Sequence, residues 1–343
     1  MTDTDRLHGI HHVTAVAADP TGNVAFYTDV LGLRMVKQTV NFDDVTTYHL
    51  YYGDETGTPG TAMTFFPFGE TRQGRVGKGM ASATAFRAPE GSLSYWQDRL
   101  TESDADVTQP VERFGETVLP FRDPDGQPLE LVFGADPHDD DAVEPWGDGP
   151  VPAEHALRGF AGVTLLPTDP EATGDVLATM GYEASETVGD RTRYEVPDRA
   201  GVVDVLDRPD APAARPGAGT VHHVAFRTPD SETELAWRET LLDAGQRVTE
   251  QKDRQYFQSL YFREPGGILF EIATEEPGFT ADESVAGLGS ELQLPPWLAD
   301  DRERIEANLP PLATDATAQL TDGGVDGDSN GDTGPGDERA GEQ

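Results

Sequence analysis

Along this chain, short runs of alternating apolar and polar residues recur, and a longer helical pattern interrupts each group of them. The first run covers residues 10–16. After a break at Asp19-Pro20, the stretch Thr21-Gly22-Asn23 leads into a segment where Val24, Phe26, Tyr27, Val30 and Leu31 share one helical face, and Gly32 is its natural stop. Strand-like runs follow at 34–41, 46–52 and 61–67, separated by Asp43-Asp44 and by the glycine-bounded stretch 53–60. The order is β-α-β-β-β. It returns in residues 80–134, with strands at 81–87 and 128–133 around a helix at 92–103, and in residues 158–208, with strands at 162–167 and 202–206 around a helix at 171–180. A fourth copy spans 220–274: strand 221–228, helix 231–244, then strands 246–251, 257–263 and 268–273.

The first strands align at His12, Ala83, Gly162 and His223, giving spacings of 71, 79 and 61 residues, a loose period that defines the architecture. Two closing phrases match closely, Arg122-Asp123-Pro124-Asp125-Gly126-Gln127-Pro128-Leu129-Glu130 and Arg263-Glu264-Pro265-Gly266-Gly267-Ile268-Leu269-Phe270-Glu271. The pattern predicts an α+β protein of four βαβββ modules in two halves, with mixed sheets curled around a cavity. Residues 1–134 would hold the first pair of modules and 158–312 the second pair, ending in a short helix at 297–308. A Pro/Gly/Asp-rich connector at 135–157 would join them. Beyond residue 312 the chain holds few apolar residues, so 313–343 is expected to be a disordered acidic tail.

Composition narrows the partners. Sixty-three acids against 25 bases give a net charge of −38, and only Lys37, Lys78 and Lys252 are lysines. Nucleic acid and anionic membrane surfaces both require basic surface, so neither is an expected partner. Carboxylates spread through the whole chain suit a halophilic protein, whose self-repulsion is screened by concentrated salt. The absence of cysteine excludes disulfides, thiolate catalysis and cysteine-held zinc or iron–sulfur centres. Residues 1–8 lack the apolar centre of a signal peptide, and no window approaches the ~18 apolar residues of a membrane span. A cytoplasmic protein is expected, and a homo-oligomer is compatible with the sequence.

Four of the eight histidines sit in two register-matched pairs, His11-His12 and His222-His223. Strand alternation puts His12 with Thr14 on one face, and His223 with Arg227 on one face, the sides suited to a polar cavity. His11 and His222 would then fall on the opposite faces. On the last strand Glu271 lies with Leu269 and Ala273, while Phe270 and Ile272 pack behind. A buried carboxylate in an apolar strand needs a partner. Two histidines and one carboxylate are the ligand set of a facial triad, which leaves open positions on a non-heme Fe(II) centre. Glu130 holds the matching place in the second module, where the first strand offers only Ser82 and Ala83, so it reads as structural or vestigial. His49 and His155 read as structural, and His8 and His138 as surface residues.

The chain resembles the vicinal-oxygen-chelate superfamily, and within it the hydroquinone-cleaving, Fe(II)-dependent ring-cleavage dioxygenases. The resemblance runs from about Leu7 to Leu312. It rests on Ile10-His11-His12-Val13-Thr14, Tyr48-His49-Leu50-Tyr51-Tyr52, Gly57-Thr58-Pro59-Gly60-Thr61, Glu154 through Phe160, His222-His223 and Gly266 through Glu271. It implies His12, His223 and Glu271 as ligands of Fe(II), with Mn(II) as the alternative ion. It implies His11, Thr14, His222, Arg254 and Tyr261 as the residues around the reaction. In that setting His11 or His222 would move the substrate's phenolic proton. Arg254 would stabilise negative charge on oxygen, and Tyr261 would bond a substrate oxygen. The partners would be a small aromatic, hydroquinone- or catechol-like, and O2. Residues 248–253 match the family less well, which leaves substrate choice open. Two rivals remain. A glyoxalase- or epimerase-type isomerase would need a fourth ligand near Ala62-Met63-Thr64, where there is no carboxylate. A metal-free resistance protein that merely binds aromatics would not need paired histidines.

Overall fold

The computed structural model describes residues 6–69, 71–103, 105–134, 143–197 and 201–312. The expected acidic tail and His138 lie outside the described residues.

Among the described residues seventeen strands form two mixed sheets. The first sheet takes β1 (Ile10–Ala17), β2 (Arg34–Asn41), β3 (Asp44–Gly53) and β4 (Ala62–Pro67), together with β14 (Thr220–Thr228), β15 (Lys252–Asp253), β16 (Gln258–Arg263) and β17 (Leu269–Thr274). Its strand order is β15-β16-β17-β14-β1-β4-β3-β2. The second takes β5 (Met80–Ala88), β6 (Asp106–Val107), β7 (Val111–Arg113), β8 (Glu116–Arg122) and β9 (Pro128–Phe133), together with β10 (Phe160–Leu166), β11 (Glu183–Val188), β12 (Arg191–Glu195) and β13 (Val202–Leu206). Its order is β11-β12-β13-β10-β5-β9-β8-β6, with β7 paired to β8. The first and fourth β-α-β-β-β units therefore build one sheet, and the second and third build the other. The sequence halves 1–134 and 158–312 are not the units that the sheets form.

The helices are short. Asp19, read from sequence as a break, is the N-cap of α1 (Pro20–Ala25): its carboxylate accepts from the Thr21 and Gly22 amides, and Pro20 sits at the first helical position. A π-helical turn at Phe26–Val30 continues it. Helices α2 (Leu93–Thr101), α3 (Pro170–Thr179) and α4 (Ser231–Asp243) bury Trp96 and Leu100, Val176 and Leu177, and Trp237 and Leu241. These join Val13, Phe86, Val163, Val224, Phe226, Phe270 and Ile272 in one core. Each fully buried side chain of this kind contributes about 1.5–3 kcal/mol.

Two expectations shift. No strand forms at 246–251; pairing starts at β15, and Thr249 makes a lone backbone bond to Tyr261. The expected helix at 297–308 is a 3-10 turn, Pro296–Asp301, followed by α5 (Arg302–Glu306).

Candidate metal centre and its cavity

β1 and β14 run antiparallel through the middle of the first sheet. Their register is Ile10↔Phe226, His12↔Ala225, Val13↔Val224, Thr14↔His223 and Ala15↔Val221, so His11 and His222 are each the extra residue of a β-bulge. A bulge breaks the two-residue alternation and re-aims a side chain. Alternation alone places His11 and His222 on the faces away from His12 and His223. The bulges instead bring each pair together: His11 Nδ1 lies 2.9 Å from His12 Nδ1, and His222 Nδ1 lies 2.8 Å from His223 Nδ1.

The three candidate ligands converge. His12 Nε2 and His223 Nε2 are 3.3 Å apart, and Glu271 Oε2 is 3.3 Å from the first and 2.8 Å from the second. They are the one group among the described residues whose donor atoms could share an ion. Three ligands at mutual right angles around an ion, each about 2.1 Å from it, would be about 3.0 Å apart, close to these edges. His12, His223 and Glu271 are all buried, and no hydrogen bond satisfies Glu271 Oε2.

The hydrogen-bond network assigns the protons. His11 Nε2 lies 3.1 Å from the Thr274 carbonyl, which only accepts, so His11 carries its proton there. Burial, then the charge of His12, pushes His11 down to about pKa 3, so its ring is neutral and its Nδ1 accepts. His12 must then donate from Nδ1, which leaves its Nε2 lone pair bare toward His223 and Glu271. At the second pair one proton lies between the two Nδ1 atoms, and when His223 donates it, His223 Nε2 is bare in the same way. Burial lowers His223, and burial with the charge of His223 lowers His222 to about 4. Burial opposes the charge on Glu271, and positive charge in the place of His12 and His223, on the rings or on an ion between them, holds the carboxyl well below its usual range. Its other oxygen accepts from Ser259 Oγ at 2.5 Å. Two bare imidazole nitrogens and an anionic oxygen aimed at one point fit a divalent cation.

Beside this cluster lies a cavity of about 280 Å³. Phe42, Phe66, Phe68, Phe257 and Leu269 give it apolar walls, and Asp43, His49, Lys252, Arg254 and Tyr261 give it polar ones. Phe257 packs at 5.2 Å between centroids on both His11 and His12. Arg254 Nε donates to the Tyr261 hydroxyl at 3.1 Å. Thr14 is buried, and its hydroxyl is 2.7 Å from that of Thr64, which is 2.9 Å from His49 Nε2; His49 Nδ1 is 2.8 Å from the Tyr51 hydroxyl. His222 is the most exposed of the four paired histidines and sits at the cavity mouth.

All eight residues named from sequence thus gather in this region. His49 is a correction: it lines the cavity rather than a structural strand interior. The spacing of His49 and Tyr51, two apart on β3, was the available signal. Ser259 and Tyr261 stand two apart on β16 in the same way. His8 is also not a free surface residue, since its Nδ1 lies 3.3 Å from Glu275. His155 is structural as expected, stacked on Tyr95 at 4.2 Å.

Fold and site together define a protein of the Glyoxalase/Bleomycin resistance protein/Dioxygenase superfamily, and the chain belongs to it: the family profile matches residues 9–131 and 186–272. Among its relatives, "Putative ring-cleaving dioxygenase MhqO" of Bacillus subtilis is 44% identical over 307 residues, 89% of this chain and 96% of that protein. Chlorohydroquinone/hydroquinone 1,2-dioxygenase of Sphingobium indicum is 36% identical over 311 residues, 88% of this chain and 95% of that protein. A crystal structure from Bacillus subtilis, 43% identical, superposes with a TM-score of 0.85 over 90% of this chain and 98% of its own. Glyoxalase I from Zea mays, 16% identical with a TM-score of 0.56, covers 78% of this chain and 92% of its own and shares the fold. Among the described residues no helix is long and apolar enough to cross a membrane.

Proposed function

We propose that this protein is an Fe(II)-dependent ring-cleaving dioxygenase of the extradiol type, acting with O2 on a hydroquinone- or catechol-like aromatic. The observation that carries the reading is the convergence of His12 Nε2, His223 Nε2 and Glu271 Oε2 beside a cavity sized for one ring. Ligand pockets for larger molecules run from about 300 Å³ upward, so a monocyclic substrate suits this one. The names of the curated relatives support the same reaction class.

His12, His223 and Glu271 would hold the ion. Bound Fe(II) supplies a contact through which electron density passes between an aromatic ring and O2. The remaining work belongs to the chain's own residues. Phe42, Phe66, Phe68 and Phe257 hold the ring and exclude water. His222, neutral and open to the cavity, carries its proton at Nε2 and presents it to a substrate oxygen. Arg254 and Tyr261 present N–H and O–H groups to a substrate oxygen as it gains negative charge.

The open coordination has support in the register. Ala225 pairs with Glu271, and the symmetry-related Thr14 pairs with Thr64. Thr64 therefore holds the place where an isomerase of this fold would carry its fourth ligand, and its hydroxyl is engaged by Thr14 and His49. The test is anaerobic loading with Fe(II) or Mn(II), then oxygen uptake with hydroquinones and catechols. Uptake with ring opening is expected with at least one of them, fastest with Fe(II). Tight metal binding with no uptake on any phenol would overturn the assignment.

A further inference from the structure

The two sheets carry the same arginine in the same place. Arg254 precedes Glu271 by 17 residues, and Arg113 precedes Glu130 by 17. Each arginine is followed by a non-glycine residue in the left-handed region, Gln255 at φ 68° and Phe114 at φ 50°, and these are the two such residues among those described. The strand pairings agree as well: Tyr261 opposes Glu271 as Pro120 opposes Glu130. Backbone and sequence separation thus give both arginines the same reach toward their carboxylates.

They end in different places. Arg113 turns inward and grips Glu130 with two bonds, Nη1 to Oε2 at 2.6 Å and Nη2 to Oε1 at 2.9 Å. Arg254 stays off Glu271. Its Nη2 donates to Asp43 Oδ2 at 2.9 Å, its Nε donates to Tyr261, and its guanidinium lies 5.1 Å over the Tyr261 ring. Asp43 belongs to the turn between β2 and β3, on the far side of the cavity mouth. It also lies 3.8 Å from Lys252, the single lysine lining the cavity. Among the described residues the second sheet has no equivalent: β12 is five residues long where β3 is ten, and its hairpin does not extend as far.

We propose that Asp43 is a positioning residue that holds Arg254 across the cavity mouth and thereby keeps it from forming the ion pair with Glu271 that Arg113 forms with Glu130. A guanidinium on Glu271 would compete with the metal for that carboxylate. Held at the mouth, it faces the substrate instead. The inference rests on the reading of His12, His223 and Glu271 as metal ligands.

The experiment is Fe(II) affinity of the full-length apoprotein, measured anaerobically against a chelator with no substrate present. Wild type should bind Fe(II). Asp43→Asn should bind about tenfold more weakly, within the range for residues that orient metal ligands, while Asp43→Glu should stay within about twofold of wild type. Arg254→Met should bind at least as tightly as wild type. The double variant D43N/R254M should match R254M, because the competitor is gone. A native circular dichroism spectrum checks that each variant folds. Unchanged affinity in D43N, or a double variant as weak as D43N, overturns the role of Asp43 and leaves the metal site standing. Failure of wild type to bind Fe(II) overturns both.

Discussion

Replacing Ser259 with alanine tests whether the carboxylate of the triad is held in place before any metal arrives. Ser259 and Glu271 are both fully buried, and the Ser259 hydroxyl is the donor to Glu271 Oε1 at 2.5 Å. The hydroxyl has two effects. It satisfies an anion that water cannot reach, and it fixes the carboxylate so that Oε2 faces His12 and His223. Losing a hydrogen bond to a buried charged group costs about 1.5–3 kcal/mol, so the apoprotein should lose about 2 kcal/mol. Freeing the carboxylate to rotate should weaken Fe(II) binding about 10- to 100-fold. At saturating metal that weakening removes a further ~1.4–2.7 kcal/mol of linked stability, so the loaded protein should lose about twice what the apoprotein loses. Urea unfolding with and without Fe(II), beside an anaerobic metal titration, reads both parts. An equal loss with and without metal would show that Ser259 supports the strand and not the ligand. Wild-type affinity in S259A would refute the reasoning.

Other consequences are as direct. His223→Ala should abolish Fe(II) binding and leave the circular dichroism spectrum native; full iron occupancy would remove His223 from the ligand set. Asp123 is raised to about pKa 7 by burial, reinforced by Asp125 and opposed by the bonds from the Gln127 amide and the Tyr27 hydroxyl. Its folded value exceeds its unfolded one, so its stabilising contribution is complete below about pH 4 and lost as pH rises through about 7. The apoprotein should therefore lose on the order of 3 kcal/mol from this group between pH 4 and 8. D123N should show that much less decline in urea midpoint over the interval, and identical slopes would sink the idea. Arg113→Met leaves Glu130 buried without its cation and should cost about 2–4 kcal/mol. Fe(II) affinity should stay at the wild-type value, since the change lies in the other sheet, and a weaker metal site there would contradict the separation.

The repeat of β-α-β-β-β units and the triad were legible in the sequence because both are written in local periodicity. His12 and His223 could be oriented by alternation, and Glu271 stood out as a carboxylate in an apolar strand. Alternation failed at His11 and His222, because a bulge is set by how two strands 210 residues apart pair, and neither strand announces it alone. The pairing of first unit with fourth, and second with third, was illegible for the same reason. Asp43, His49 and Ser259 were missed because each looks ordinary beside its chain neighbours: a turn aspartate, a strand histidine and a strand serine. Their significance lies in contacts with Arg254, Thr64 and Glu271. The expected strand at 246–251 shows the reverse error: Val248 is its only apolar residue, and a single backbone bond, Thr249 to Tyr261, ties it to the sheet.

Among the described residues only one of the two sheets holds a group that could share a metal ion, and the charge balance of the other explains how it stands without one. In the second sheet Gly162 and Ala83 take the places of His12 and His223, and Glu130 and Asp204 take those of Glu271 and Thr64. A histidine cannot enter at Gly162, where even a Cβ would lie 2.4 Å from the Val202 carbonyl oxygen. Two buried carboxylates there need positive charge, and arginines provide it. Arg113 binds Glu130, while Arg191 and Arg193 bind Asp204; Arg193 also reaches Glu116, which Arg87 holds from the other side. Arg191 and Arg193 stand where the first sheet has His49 and Tyr51, by the pairing of Arg193 with Asp204 and of Tyr51 with Thr64. The arginine side chains fill the hollow that remains open in the first sheet. A buried carboxylate is tolerable only when paired. In one sheet fixed guanidinium groups meet that need and leave no room for a ligand. In the other, Glu271 is left with neutral imidazoles and one hydroxyl, a deficit of positive charge that a divalent cation is suited to fill.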